Sequence, residues 1–101
     1  MKATLIDPEH QTIEPVEING TEDIARLIGY DTIESDAIGA DGDRLFFDEE
    51  CFLRGASGRF QIDSVVPVSG KGIVVGTANK GAQLQDARSD AESIGQRLKY
   101  L

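Results

Sequence analysis

Tryptophan is absent, and the 101 residues include four phenylalanines, two tyrosines, one cysteine and one histidine. A lone cysteine, Cys51, excludes an intramolecular disulfide and any cysteine-based metal cage. With a single imidazole, His10, any nucleophile–base pair has only one histidine to draw on. Cys51 follows Asp48-Glu49-Glu50, whose negative charge opposes thiolate formation, so the thiol reads as a small packed residue. His10 closes the turn sequence Asp7-Pro8-Glu9-His10 and reads as a solvated side chain. No Ser-His-Asp order is persuasive in so short a chain. Long apolar runs are missing too. The stretch Lys2 to Ile6 is broken by Asp7, which fits neither a signal peptide nor a membrane span. The expectation is a soluble, cytoplasmic protein with no membrane contact. Asn19-Gly20-Thr21 matches a glycosylation acceptor but reads more simply as a turn leading into a helix cap.

Positive charge is scarce: ten bases stand against eighteen acids, a formal net charge of −8. The imbalance is confined to one half. Residues 1–50 hold fourteen acids and three bases, whereas residues 51–101 hold four acids and seven bases. An acidic chain repels phosphate, which disfavours direct binding to DNA or RNA. The division also predicts one acidic face and one mixed face. The densest acids, from Asp36 to Glu50, meet no calcium-loop register. A polar hairpin keeps carboxylates solvated, without the burial that would separate their pKa values for acid–base catalysis. Glu34, Asp36, Asp41, Asp43, Asp48, Glu49 and Glu50 therefore stand as a partner-facing set. A sharper version is DNA mimicry, in which the acids of residues 7–50 take the place of phosphates in the basic groove of a nucleic-acid enzyme.

One domain of this length buries roughly 65% of its extended-chain surface, enough for one modest core. Lys2–Ile6 and Gln11–Ile18 read as an opening hairpin, with Pro15 marking an edge strand or a bulge. A short helix follows Asn19-Gly20-Thr21, with Glu22 and Asp23 in its first turn and Gly29 at its end. Asp31–Ile38 and Arg44–Asp48 form a second hairpin about Asp41-Gly42. Glu49–Gly58 is loop-like, with Phe52 and Leu53 expected as apolar anchors. Phe60, Ile62 and Val65-Val66 suggest another short strand before Pro67. Ile73, Val74 and Val75, bounded by Gly72 and Gly76, read as a central strand buried on both faces. Asn79-Lys80-Gly81 offers a turn. Ser89 with Glu92 predicts a capping box for a terminal helix, with Ala91, Ile94, Leu98 and Leu101 on its buried stripe and Gly95 allowing a close crossing. The sum is an α+β domain: a mostly antiparallel sheet of five to seven short strands, one short helix and one C-terminal helix.

Gly70-Lys71-Gly72 departs from a phosphate loop, because a strand rather than Ser or Thr and a helix follows the lysine. Its glycines suit turns and close packing. Lys71, Lys80 and Arg88 could still gather an anion, and a small ligand-binding or enzymatic domain would then show a concave apolar pocket beside Lys71 or Arg88.

A strand, then EINGTEDIARLIG, an acidic hairpin, LFFDEE and GKGIVVGT resembles small domains of unknown function from phage, plasmid and mobile-element genomes. The resemblance implies a prokaryotic or viral accessory protein and carries over no catalytic residue. The expected function is a non-enzymatic protein-interaction module with a protein partner and neither metal nor cofactor. An exposed edge near Pro15 or Leu84 offers a route to a homodimer.

Overall fold

The computed structural model describes residues 1–79 and 81–101. In chain order it places β1 (Lys2–Asp7), β2 (Thr12–Glu17), α1 (Thr21–Ile28), β3 (Ile33–Ala37) and β4 (Asp43–Asp48). A 3₁₀ turn at Cys51–Leu53 follows, then β5 (Arg59–Ile62), β6 (Val68–Ser69), β7 (Gly72–Ala78), β8 (Gln83–Gln85), α2 (Ala91–Arg97) and β9 (Leu98–Tyr100). The class is α+β with antiparallel sheets. The main sheet runs β2-β1-β7-β4-β3, with β8 also pairing β7, and a smaller sheet runs β6-β5-β9. No helix among the described residues is long and apolar enough to cross a membrane.

β7 is the middle of the main sheet, and every residue from Gly72 to Thr77 is buried. Register explains how both its faces are used. Ala3 and Leu5 of β1 lie opposite Val75 and Ile73. On that face α1 sets Ile24 and Ile28, with Ile18 from the preceding loop. The other face carries Ile6, Leu45, Phe47 and Val74 and is covered by Phe60, Ile62, Val68 and Ile94 from the smaller sheet and α2. Full burial of each such branched or aromatic side chain contributes roughly 1.5–3 kcal/mol. The layers are therefore helix, sheet, and a second cover of sheet and helix.

Two glycines of β7 permit this covering. A Cβ at Gly72 would stand 2.7 Å from the Phe60 ring, where the smaller sheet presses closest. A Cβ at Gly76 would collide with the Asp86 carbonyl oxygen. Close approach, rather than phosphate binding, accounts for both positions.

Several local expectations change. Nine strands occur among the described residues because β6, β8 and β9 are pieces of two or three residues without a visible alternation of their own. The terminal helix stops at Arg97, where Leu98 turns extended so that β9 can pair with β5, Phe60 opposite Tyr100 and Ile62 opposite Leu98. Leu98 and Leu101 thus leave the helical stripe. The cap is Asp90, whose carboxylate accepts from the Ser93 amide at 2.8 Å, not Ser89. Phe52 and Leu53 face solvent and Cys51 is the buried anchor. Val65-Val66 belongs to a turn, with Val66 exposed. Lys80, within the expected Asn79-Lys80-Gly81 turn, lies outside the described residues.

Gly95 has no crowded neighbour: a Cβ there would meet only the Ile13 Cδ1, at 3.6 Å. Gly95→Ala is therefore expected to raise stability by about 0.5–1 kcal/mol, since a helix-interior glycine costs that much. Gly76→Ala is expected to lower it by about 1–3 kcal/mol through overpacking. Urea denaturation of both variants checks the pair, and a destabilised Gly95→Ala would mean that α2 does cross at van der Waals limit.

Candidate functional site

The seven acids expected on one face separate into two kinds. Asp43 and Asp48 are each only 2% exposed. Asp43 begins β4 and shares strand parity with Leu45 and Phe47, so it points inward. Its two carboxylate oxygens accept from the Arg88 and Ser89 amides, each at 2.9 Å, and fasten the segment before α2 to the sheet. Asp48 accepts from the Thr32 hydroxyl, from the Glu50 amide at 3.1 Å and from Arg54 Nε at 2.8 Å. Burial pushes the Asp48 carboxyl up, but the hydrogen bonds from Arg54, Thr32 and the Glu50 amide outweigh it and hold the pKa below the usual value. Neither group is free to meet a partner.

The other five reach solvent. Glu34 is exposed and Asp36 half-buried on β3, one open edge of the main sheet, and Asp41 is exposed in the β3–β4 hairpin. Charges on such an edge discourage another strand from pairing with it. Glu49 and Glu50 are exposed on the approach to the 3₁₀ turn. Glu50 also lies 3.4 Å from the Arg54 guanidinium.

Between these acids and β5 the turn holds two apolar side chains outward. Cys51 packs into the core cluster, while Phe52 is 52% and Leu53 80% exposed. The turn is fixed at both ends: the Glu49 amide donates to the Thr32 carbonyl at 2.6 Å, and Arg54 is pinned to Asp48. The Arg54 guanidinium lies 4.1 Å from the centroid of the Tyr30 ring, and that of Arg59 lies 5.3 Å from the Phe52 ring. The amide of exposed Leu101 donates to the Arg59 carbonyl at 2.9 Å. Tyr30, Phe52, Leu53 and Leu101 are thus displayed around two arginines.

Protein-family models, curated proteins and solved structures contain no match to the chain. What its surfaces do follows from their own chemistry.

Two concavities bear on the expected anion site. One, of about 400 Å³, lies between β1–β2 and residues 87–91 and includes Arg88. A smaller one, of about 120 Å³, includes Asp7, Cys51, Arg54 and Lys71. Lys71 and Arg88 thus serve different hollows and do not form one anion site; Lys80 lies outside the described residues. The tightest group of potential metal ligands among the described residues is Asp7, Glu9 and His10, with ligand atoms within 4.8 Å of one another. His10 Nδ1 and Asp7 already satisfy each other at 2.8 Å. That hydrogen bond, with the carboxylate charge, raises the His10 pKa. Burial raises the Asp7 carboxyl, but its bonds from the His10 ring and amide prevail and lower it.

Asp43→Ala would strand two inward amides and is expected to cost about 1–3 kcal/mol for each donor left without a partner. Glu49→Gln is expected to change stability by less than about 0.5 kcal/mol. Asp48 adds a pH dependence. Its folded pKa is lowered, so its contribution is complete above the ordinary value near 3.8 and is lost as pH falls through the folded value. Denaturation curves from about pH 5 to 2 should show a shallower acid loss in Asp48→Asn than in the parent; parallel curves would remove Asp48 from that role.

Proposed function

We propose that the chain is a non-enzymatic protein-interaction module, in the accessory role that the resemblance to mobile-element domains implies. The observation that carries this is the outward display of Phe52 and Leu53 on a turn whose neighbours are locked. An apolar side chain held in water by ordered structure offers free energy to a partner without a large ordering cost on binding. Aromatic and arginine side chains together are the composition of binding hot spots. The exposed acids Glu49 and Glu50, with Glu34, Asp36 and Asp41 on the neighbouring hairpin, supply a negative rim. Such a rim speeds encounter with a basic surround and sets orientation more than it adds affinity. The partner is accordingly a folded protein with an apolar pocket bordered by lysine or arginine.

Mimicry of DNA is the weaker reading, because Asp43 and Asp48 are spent inside the fold and the exposed acids of residues 7–50 are spread over β2, α1, one hairpin and one turn rather than along one element. Direct nucleic-acid binding is opposed by the net charge of −8.

Capture of partners from a bacterial lysate tests the proposal when three baits are compared. Leu53→Asp is expected to abolish capture without shifting the melting temperature, since that side chain is already solvated. A Glu49→Lys/Glu50→Lys bait is expected to bind the same partner more slowly and with weaker salt dependence. Full capture by Leu53→Asp together with loss by the charge-reversed bait would make the contact electrostatic and move the assignment to mimicry.

A further inference from the structure

The geometry points to a second binding site, independent of the Phe52–Leu53 surface: the cleft between β1–β2 and residues 87–91 binds an organic carboxylate with an apolar tail. The cleft has a volume of about 400 Å³, within the range of small-molecule sites. Its floor comes from the paired strands, where Thr4 lies opposite Pro15 and Lys2 opposite Glu17, on the sheet face that carries Ile6. Its far wall includes Ala87 and Ala91, whose short side chains leave the space open. An alkyl chain fits such a lining, because apolar surface leaves water on both sides of the contact.

The polar groups at the cleft select the head group. Thr4, only 2% exposed, is the uncharged polar residue of the floor. Four charged side chains also line the cleft: Lys2, Arg88, Glu17 and Asp90. The two acids are engaged, Asp90 by the Ser93 amide at 2.8 Å and Glu17 by the Met1 nitrogen at 3.4 Å. Nearby Asp86 is likewise held, by the Lys2 amide at 2.8 Å. The Lys2 ammonium and the Arg88 guanidinium have no ion-pair partner among the described residues. What the cleft leaves unpaired is thus two cations, both of them donors. A carboxylate accepts from each of these, and a guanidinium can hold it through two parallel bonds.

The site is also held ready. Both amides that precede α2 in the far wall, those of Arg88 and Ser89, are fixed by the buried Asp43 carboxylate. The Arg88 guanidinium itself is free of that anchorage, so it can be removed without disturbing the wall.

Octanoate is the probe, titrated into ¹⁵N-labelled protein and followed by amide chemical shifts. Saturable shifts are expected at Thr4, Val16, Arg88 and Ala91, with little change at Phe52 and Leu53. Loss of one charge-assisted contact should weaken octanoate about ten-fold in Arg88→Ala. Lys2→Gln, at an exposed position, gives a second reading of the same effect. Octylamine, which keeps the tail and reverses the head charge, should not saturate these amides. Equal binding of the amine and the acid would reduce the site to an apolar groove and overturn the assignment of a carboxylate. Absence of octanoate shifts at the cleft amides, or their confinement to the Phe52–Leu53 surface, would overturn the site itself.

Discussion

Covering β7 from both sides sets the terms for nearly every other element. Its residues Ile73 and Val75 need one apolar layer and Val74 needs another, and a sheet alone can provide neither. Helix α1 serves the first face with only eight residues. A helix that short has little stability of its own and is held by its docked side chains Ile24 and Ile28. The second face is covered by β5, β6 and the continuous α2–β9 segment, and β5 meets β9 there although they are distant in sequence. Gly72 and Gly76 are consequences of the same demand, since the covering layer comes to within van der Waals distance of the strand itself.

Polar groups complete what the apolar layers leave loose. A segment that passes over a sheet face without a strand partner must still satisfy its amides. Asp43 does this for residues 88 and 89, and Asp48 does it for the approach to the 3₁₀ turn. Both are acids at the two ends of one strand, β4, and both tie irregular chain to regular chain. The electrostatic asymmetry of the sequence is therefore partly architectural. Some of its negative charge builds the fold, and only the rest is displayed.

The division between legible and hidden features follows the range of the interactions that decide them. Features set by near neighbours were legible: the central run Ile73–Val75, the Pro15 edge strand, the hairpin at Asp41-Gly42 and the helix ending at Gly29. The β9 strand was hidden because its local pattern suits a helix, and pairing with β5 some forty residues away overrides it. Phe52 and Leu53 were misplaced for a related reason. Apolar side chains in a loop suggest anchors, but the anchor is Cys51, and the 3₁₀ geometry turns the next two residues outward. Asp43 carried a usable signal in its alternation with Leu45 and Phe47. Asp48 carried none, since its burial depends on Thr32 and Arg54, which only the folded chain brings together.

The two candidate surfaces stand at opposite ends of β1. The cleft includes Lys2 to Thr4, while the hollow beside the 3₁₀ turn includes Asp7. A strand of that length spans roughly 17 Å, longer than the reach of screened charge in physiological salt. Between them lies the most thoroughly buried part of the sheet, a close-packed layer. Coupling over such a distance needs an element with two arrangements, and β1 is held by a neighbouring strand on each side from Ala3 to Ile6. Ligand in the cleft and protein at the Phe52–Leu53 surface would therefore bind additively.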